Sequence, residues 1–365
     1  MPGAYFFLAL HEDRCLVPQP AIPDRFNERK TFDVRHEALS IAGIEWEKDP
    51  LRSCMTDSVL TSNSEAYALF SDIFLTGLLG PAQARVRTIP RLREVLVLDT
   101  DDELAAEHET MFGFNVYPFA SLFLESDRML GGETTQQIRA FASRSGIDVG
   151  SDTNAPDHIA TELRILERLA KSDPPKEDSI AEFIDQHLFS WLPAFVVAVR
   201  EESNDFYSEV ADLMLEHIVD HRRSIPAQSY VRETEPEPEE HLLSDRDTGI
   251  HDIADFLTSP ARCGFFLSRS TIAGIAQGSK LPHGFGGRSQ MMVTSIRSAS
   301  AYGGLDLVIC AIADLIDRNR SAWETLSESG LKSAHIWSEN WLTRLNHSSS
   351  TLEQIASAIR REESD

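Results

Sequence analysis

The amino-acid sequence predicts an all-α protein, and three observations carry this prediction. Apolar residues recur three or four positions apart in most segments of the 365-residue chain, as they do on the buried face of a helix. Several of these segments have polar capping residues before them or glycine after them. The one run with strand character, residues 94–100 (EVLVLDT), has no second strand of similar quality to pair with, so a turn or a helix start explains it equally well. We therefore expect little or no sheet.

Four helices are predicted in the first half of the chain. They cover residues 62–81, 102–112, 133–145 and 154–170. In the first of them, the face is formed by Tyr67, Phe70, Phe74 and Leu78, and Gly80-Pro81 follows it. The third ends at Gly146, which suits a helix C-terminus.

The fourth predicted helix, NAPDHIATELRILERLA, opens with a polar stretch that capping explains. Asn154 is predicted to be the N-cap, and Pro156 and Asp157 suit the first turn. Its apolar stripe is Ile159, Leu163, Leu166 and Ala170. His158 is the one side chain that such a helix does not require, so capping and contact with a partner both remain open for this stretch.

Two further helical stretches precede an acidic, proline-bearing run. Apolar positions from Ile180 to Val199 predict a long core helix that Pro193 kinks or splits. A helix from Phe206 to Ile218 follows, closed by His221, Arg222 and Arg223, where positive charge is favourable. Residues 232–241 (RETEPEPEEH) have no apolar periodicity and predict a solvated linker.

Helical patterning resumes after this run and defines the domain organisation that we predict. Residues 253–257, 272–276, 291–299 and 305–316 all have helical spacing. The predicted divisions are a poorly assigned N-terminal region (1–57), a first helical domain (58–225), an acidic linker (226–249), a helical C-terminal unit (250–345) and a polar tail with a short helix (346–365).

Composition and charge exclude several classes of protein. The formal net charge of −24 leaves no basic face for nucleic acid, so we predict no nucleic-acid partner. No apolar run approaches the length of a membrane helix, and the opening MPGAYFFLALHED lacks the basic start of a signal peptide. The four cysteines form no CxxC pair, which favours reduced thiols and a cytoplasmic location.

The chain also lacks the common motifs of catalytic and cofactor sites. No HExxH, GxSxG or GxxxxGK motif occurs. The glycine-rich stretch HGFGGRSQ (283–290) lacks the preceding strand and the lysine of a phosphate loop, so we interpret it as a turn before a helix. His217 and His221 share a helix face but have no third ligand nearby in sequence. We therefore predict no enzyme, no cofactor and no metal, and we interpret Trp191 and Trp337 as core aromatics.

Four stretches in the first helical domain resemble one family in their order along the chain. They are LAAEHETMFGFNVYPFASLFLES, MLGGETTQQIRAFASRSGI, APDHIATELRILERLA and FIDQHLFSWLPAFVVAVREESNDFYSEVADLMLEHI. Together, residues 105–225 resemble the TorD/DmsD/NarJ family of cytoplasmic chaperones, which assist assembly of molybdenum enzymes of the dimethyl sulfoxide reductase type. Two departures stand out: Phe119-Ala120-Ser121 replaces a common Tyr-Glu-Ser, and Asn154-Ala155 replaces Glu-Pro before the Pro-Asp-His stretch.

The resemblance implies a TorD-like helical bundle with an additional helical C-terminal region. It also implies a function: binding the twin-arginine signal peptide and the apo-form of a molybdopterin oxidoreductase, which assists cofactor insertion and delays export. The implied peptide-binding residues are Asp157, His158, Glu162, Tyr117, Phe119, Phe123 and Trp191. Carboxylates suit the two arginines and aromatic rings suit the apolar part of the peptide, although packing also explains Glu162 and the aromatics.

Two alternatives remain beside the chaperone. A helical adaptor that recruits another partner through its C-terminal unit is one, and an enzyme that uses the twelve histidines is the other. Nucleotide binding, known for some members of the family, is not predicted here because no phosphate loop is present. A monomer and a domain-swapped dimer are both open, and the sequence does not identify the client.

Overall fold

The computed structural model describes residues 62–98, 100–126, 131–149, 155–226, 228–231, 242, 248–282 and 284–362. These residues form α-helices, two π-helical turns and connecting loops, with no strand among them. Their one β-type pairing is an isolated antiparallel bridge between Phe119 and His158. The all-α prediction is confirmed. The N-terminal region 1–57 and the acidic run 232–241 lie outside the described residues.

Ten of the described α-helices precede the acidic run, and six follow it. The first ten are α1 (Asn63–Thr76), α2 (Pro81–Val86), α3 (Pro90–Val95), α4 (Asp101–His108), α5 (Ser121–Leu124), α6 (Glu133–Arg144), α7 (Ile159–Ala170), α8 (Glu177–Phe183), α9 (Leu192–Arg200) and α10 (Asp205–Ser224). The last six are α11 (Ile250–Leu257), α12 (Pro260–Cys263), α13 (Arg269–Gly278), α14 (Arg288–Tyr302), α15 (Leu305–Ser327) and α16 (Lys332–Glu362). The π-helical turns Glu109–Asn115 and Ile184–Leu188 continue α4 and α8.

Several sequence predictions are settled by these boundaries. Helix α1 ends at Thr76, before the predicted stop at Gly80-Pro81, although Leu78 is still buried beyond its end. In the run EVLVLDT, residues 94 and 95 finish α3 and residues 96–98 form a loop, so none of these residues belongs to a strand. Pro193 splits its segment, because it occupies the second position of α9, where its missing N–H costs no hydrogen bond.

The two groups of helices share one hydrophobic core. A single cluster of buried side chains runs from Ala66 in α1 to Leu352 in α16. Helix α9 packs against α15, and α5 packs against α12, so the first domain meets the C-terminal unit along more than one helix. Trp191 lies fully buried in this cluster as predicted, whereas Trp337 is only partly buried at its edge.

A buried carboxylate, that of Asp185 in the second π-helical turn, fastens the C-terminal unit to the first domain. The guanidinium of Arg222 donates two hydrogen bonds to its oxygens, at 2.8 and 2.9 Å. The hydroxyl of Ser333, at the start of α16, donates a third at 2.6 Å, and the backbone N–H of Tyr230 donates a fourth at 3.2 Å. Nearby, the indole N–H of Trp337 donates to the backbone carbonyl of Asp185 at 2.8 Å. The charge is buried, and each of these donors offsets its desolvation.

The boundary predicted at residue 345 falls inside a single helix, so the predicted polar tail with a short helix is wrong in this respect. Helix α16 continues through Glu362. The serine-rich stretch looked polar in sequence, but the hydroxyl of Ser348 is buried and donates to the carbonyl of Cys263 at 2.7 Å. Leu352 and Ile359 are also buried, which extends the packed face of α16 beyond the predicted boundary.

Replacing Asp185 by alanine is expected to destabilise the protein by about 3–5 kcal/mol, because the Arg222 guanidinium would remain buried without its partner. The matched control is Glu201→Ala, which removes an equally bidentate but more exposed pair with Arg318, and which we expect to cost at most about 1 kcal/mol. Urea unfolding of the two variants measures this difference. Equal costs would contradict the central role of Asp185.

Candidate functional site

The Pro-Asp-His turn places a buried carboxylate where three segments meet. The side chain of Asp157 is fully buried. One of its oxygens accepts hydrogen bonds from the backbone N–H of Ser121 at 3.2 Å and from the Ser121 hydroxyl at 2.5 Å. The other oxygen accepts from the hydroxyl of Thr135, in α6, at 2.8 Å. Asp157 thus joins α5, α6 and the turn before α7.

Backbone hydrogen bonds reinforce this junction. The N–H of Ala120 donates to the carbonyl of Asp157, and the N–H of Ile159 donates to the carbonyl of Pro118, both at 2.9 Å. These two bonds form the isolated bridge and align the segment before α5 with the start of α7. Because its backbone groups are taken up in this way, the Pro-Asp-His turn does not belong to the helix.

The predicted N-terminal cap of this helix is therefore wrong. Helix α7 begins at Ile159, and His158 is its N-cap: the Nδ1 atom accepts a hydrogen bond from the N–H of Ala160 at 3.1 Å. Asp157 is unavailable for capping because its oxygens accept from Ser121 and Thr135. Asn154, the predicted cap, lies outside the described residues. His158, the one side chain that the predicted helix did not require, is the side chain that caps it.

The imidazole of His158 is neutral in this arrangement. An Nδ1 atom that accepts a hydrogen bond carries no proton. Burial lowers the pKa of His158 to about 4, with Asp157 opposing this effect. The ring also packs edge-on against Phe119, with centroids 4.8 Å apart.

Glu162 occupies a different kind of environment one turn into α7. Its side chain is fully buried, and the indole N–H of Trp191 is 3.4 Å from one carboxylate oxygen. The other oxygen has no hydrogen-bond partner among the described residues. Burial, with the nearby charge of Asp157, raises the pKa of Glu162 well above its ordinary value. The fold therefore favours the protonated form of the Glu162 carboxyl group more than water does.

The predicted aromatic residues divide into a covered pair and a pair at the edge. Phe123 and Trp191 are fully buried, 5.4 Å apart between ring centroids. Phe266, from the loop after α12, stacks on Phe123 at 5.0 Å, so the C-terminal unit covers this ring. Tyr117 and Phe119 are only partly buried, on the segment that leads into α5.

The structure thus brings the predicted site residues together, with the carboxyl groups of Asp157 and Glu162 inside. In this conformation Asp157 and Glu162 do not reach the surface, so their direct contact with a peptide stays a prediction. Sequence reasoning missed Ser121 and Thr135, which supply the hydroxyl donors. The available signal was the requirement that a buried carboxylate be hydrogen-bonded, but the sequence alone does not show that Asp157 is buried.

The paired histidines of α10 have structural partners. The Tyr67 hydroxyl lies 2.6 Å from Nδ1 of His221, and His217 packs edge-on against Tyr67 at 5.2 Å. Burial lowers the pKa of both histidines to about 4. Among the described residues, no group of three or more His, Cys, Asp or Glu side chains is arranged to hold a metal ion. In this part of the chain, no helix is both long and apolar enough to cross a membrane.

Comparisons with known proteins place this helical domain in a class of chaperones. A family profile described as nitrate reductase delta subunit matches residues 80–197. A "Chaperone protein TorD" from Psychrobacter sp. (strain PRwf-1) is 28% identical over 174 residues, which cover 44% of this chain and 77% of the relative. A second, from Vibrio cholerae, is 33% identical over 165 residues, or 40% of this chain and 74% of the relative.

The chain belongs to the TorD family of molybdoenzyme chaperones. The relatives are named as chaperones, and this family membership confirms the prediction that the chain is not an enzyme. The resemblance of residues 105–225 to this family is confirmed as well, since the matched profile covers the Pro-Asp-His turn, Glu162 and Trp191.

Replacing Glu162 by glutamine is expected to stabilise the protein at pH 7.5. The raised pKa means that the folded state retains a proton that the unfolded chain releases near pH 4.5, so the wild type loses stability as the pH rises above that value. Glutamine removes this loss. The gain, measured as a higher urea midpoint, should shrink as the pH approaches 4.5. Glu167→Gln on the same helix removes only an ion pair with Arg164 and should change the stability by less than about 1 kcal/mol. A lower midpoint for Glu162→Gln at pH 7.5 would show that the ionised carboxylate is the stabilising form.

Acidification is expected to destabilise the protein through its buried histidines. Burial lowers the pKa of His158, His187, His217 and His221 to about 4 from an ordinary value of 6.5. The unfolded chain therefore binds more protons between these two pH values, and the free energy of unfolding falls as the pH is lowered through this window. Urea unfolding at pH 7, 6 and 5 measures the slope. His217→Phe, which removes one of the four groups, should flatten it, and a slope identical to that of the wild type would rule out a contribution from His217.

Proposed function

We propose that this chain is a cytoplasmic redox-enzyme maturation chaperone. Its client is the apo-form of a molybdopterin oxidoreductase catalytic subunit together with the twin-arginine signal peptide of that subunit. The observation that carries this proposal is the Pro-Asp-His turn, which lies within the family match and in which one buried carboxylate holds three segments together. A motif that the chain shares with the family, and that fixes the local structure, supports a function in common with the family more strongly than amino-acid composition does.

The chemistry of the client suits an acidic helical protein. A twin-arginine peptide presents two guanidinium groups followed by an apolar stretch. Guanidinium groups form charge-assisted hydrogen bonds with carboxylates, and an apolar stretch binds to an apolar groove. The net charge of −24 attracts such a peptide at long range as well.

Assistance with cofactor insertion requires only a difference in affinity. The chaperone would bind the cofactor-free client tightly and the finished client weakly, so that folding around the cofactor releases it. A signal peptide that is held in this way is unavailable for export. This mechanism requires no bond to be made or broken.

Asp157 and His158 act in this proposal first by positioning. Asp157 orients the segment that carries Tyr117 and Phe119, and His158 caps α7 directly behind it. The partly exposed rings of that segment are then the members of the predicted site that a client reaches without any rearrangement. Direct contact of Asp157, Glu162, Phe123 or Trp191 with the peptide requires these helices to open.

The adaptor alternative receives no comparable support. It assigns partner recruitment to the C-terminal unit alone, but that unit shares a core with the first domain and is fastened to it through Asp185. We therefore treat the two helical units as one chaperone.

A tagged pull-down of the full chain from its native cytoplasm, analysed by mass spectrometry, tests the proposal. We expect enrichment of a molybdopterin oxidoreductase subunit that retains its signal peptide and lacks its cofactor. The Asp157→Ala, His158→Ala double variant should reduce this enrichment at least about tenfold, because loss of buried hydrogen bonds disorders the segment before α5. The matched control is His251→Ala, Asp252→Ala, which alters an exposed pair of the same residue types at the start of α11.

The outcomes separate the function from the site. If no molybdoenzyme subunit is captured, the proposed function is wrong. Equal capture by the wild type and the double variant would keep the function and limit the Pro-Asp-His turn to capping and packing. Thermal unfolding of each variant shows whether a loss of capture reflects a loss of the folded protein.

A further inference from the structure

Two exposed phenylalanines lie on segments that both contact the start of α13, one from each helical unit. Phe114, in the first π-helical turn, is 51% exposed, and Phe285, in the loop before α14, is 92% exposed. Hydrogen bonds connect their surroundings. The N–H of Ser270 donates to the side chain of Asn115 at 3.3 Å, and the neighbouring Arg269 guanidinium donates to the carbonyl of Gly286 at 2.7 and 3.0 Å. The residues adjacent to both rings are thus linked through the start of α13.

The loop that carries Phe285 is built to hold this ring outward. Its neighbours Gly284 and Gly286 have φ angles of 66° and 121°, which side chains larger than glycine adopt at a cost. A Cβ atom at Gly284 would also lie 2.9 Å from Cγ2 of Thr294, so the backbone is pressed against α14. Residues 284–287 of the glycine-rich stretch therefore bend sharply before α14, which begins at Arg288, and the side chain in this bend, Phe285, is largely exposed.

The helix that leads to Phe114 carries a concentration of negative charge. Five carboxylates lie between residues 101 and 109, and no lysine or arginine occurs from residue 101 to residue 115. Asp101, Asp102 and Glu103 are exposed in the first turn of α4, and Glu109 is exposed one turn before Phe114. At a rise of about 1.5 Å per residue, roughly 20 Å separate the first turn from Phe114. One end of this surface is anionic, and the other end is aromatic.

Two of the aromatic rings inside the first domain are closed to an apolar segment in this conformation. Phe123 lies under Phe266 of the C-terminal unit, and Trp191 is fully buried. A partner that carries both positive charge and an apolar run therefore matches the exposed surface of α4 and the junction better than it matches the interior.

We propose that the C-terminal unit contributes directly to client binding through Phe285. Phe285, Phe114 and the carboxylates of α4 form one surface, which we call the junction surface. It receives the cationic and apolar leader of the client, with the arginines at the first turn of α4 and the apolar run on the two phenylalanines. A helical run of about twelve residues spans about 18 Å, which fits this separation. This inference rests on the proposed function, since it names the surface that the leader occupies.

Fluorescence anisotropy with a labelled synthetic peptide, in which two adjacent arginines precede about twelve apolar residues, tests the junction surface on the full chain. Phe114→Ser, Phe285→Ser should weaken binding about tenfold or more, because two large apolar anchors are lost. The matched control is Tyr302→Ser, Leu307→Ser, which removes two side chains that are also exposed, by 74% and 56%, between α14 and α15. It should leave the affinity within about twofold.

A second variant tests the contribution of the α4 carboxylates to peptide binding. Asp101→Asn, Asp102→Asn, Glu103→Gln should weaken binding severalfold at low salt and reduce its dependence on salt concentration. A peptide with two glutamines in place of the arginines should bind the wild type and this variant equally. Unequal binding of that neutral peptide would contradict the placement of the arginines on α4.

The results distinguish failure of this inference from failure of the proposed function. If the wild-type chain does not bind the peptide, both the junction surface and the proposed binding of the leader are wrong. A wild-type chain that binds, with a phenylalanine variant that binds equally well, overturns the junction surface and leaves leader binding intact.

A photo-crosslinking side chain at position 285 identifies the occupant. Crosslinks to the peptide support the proposal, whereas crosslinks in the presence of peptide only to residues 1–61 of the same chain, or to a second copy, overturn it.

Discussion

The geometry of the candidate site depends on the requirement that the buried carboxylate of Asp157 be hydrogen-bonded. An ionised group taken out of water costs several kcal/mol unless donors surround it. The donors here come from Ser121 and Thr135, which belong to different helices. Moving either helix would leave one carboxylate oxygen without its donor, so one side chain fixes the relative positions of α5, α6 and the start of α7. The short Pro-Asp-His motif therefore positions segments that are distant in sequence.

The same requirement operates a second time at Asp185, but there it connects the two helical units. Ser333 and Arg222 approach the carboxylate from opposite units, and Tyr230 brings the chain after α10 to the same point. Glu162 shows the contrasting case. It is as deeply buried but receives one long hydrogen bond, and its burial raises its pKa well above the ordinary value. A buried carboxyl group with several hydrogen-bond donors within reach can hold neighbouring segments together, whereas one with few donors pays a desolvation cost that is not offset.

Apolar periodicity predicted the helices well because burial of one face is encoded locally. The faces of α1 and α10 and the split at Pro193 follow from spacing and from backbone chemistry. The start of α7 and the extent of α16 did not follow, because both depend on partners distant in sequence. Asp157 is occupied by Ser121 and Thr135, and Ser348 is satisfied by Cys263, which is 85 residues away. The site residues were grouped by resemblance, but their burial is a tertiary property that the motif does not contain.

The shared core changes how the role of the C-terminal unit can be tested. Removing residues 250–362 would uncover Phe123, whose ring stacks on Phe266, and would leave Asp185 without the Ser333 hydroxyl. A loss of client binding after such a deletion would therefore reflect an exposed core as readily as a lost contact. Substitutions at exposed positions such as Phe285 leave the core and the Asp185 interactions in place, because that ring lies 92% in solvent. Substitutions at exposed positions of the C-terminal unit can therefore separate an effect on client binding from an effect on stability, whereas deletion of the unit cannot.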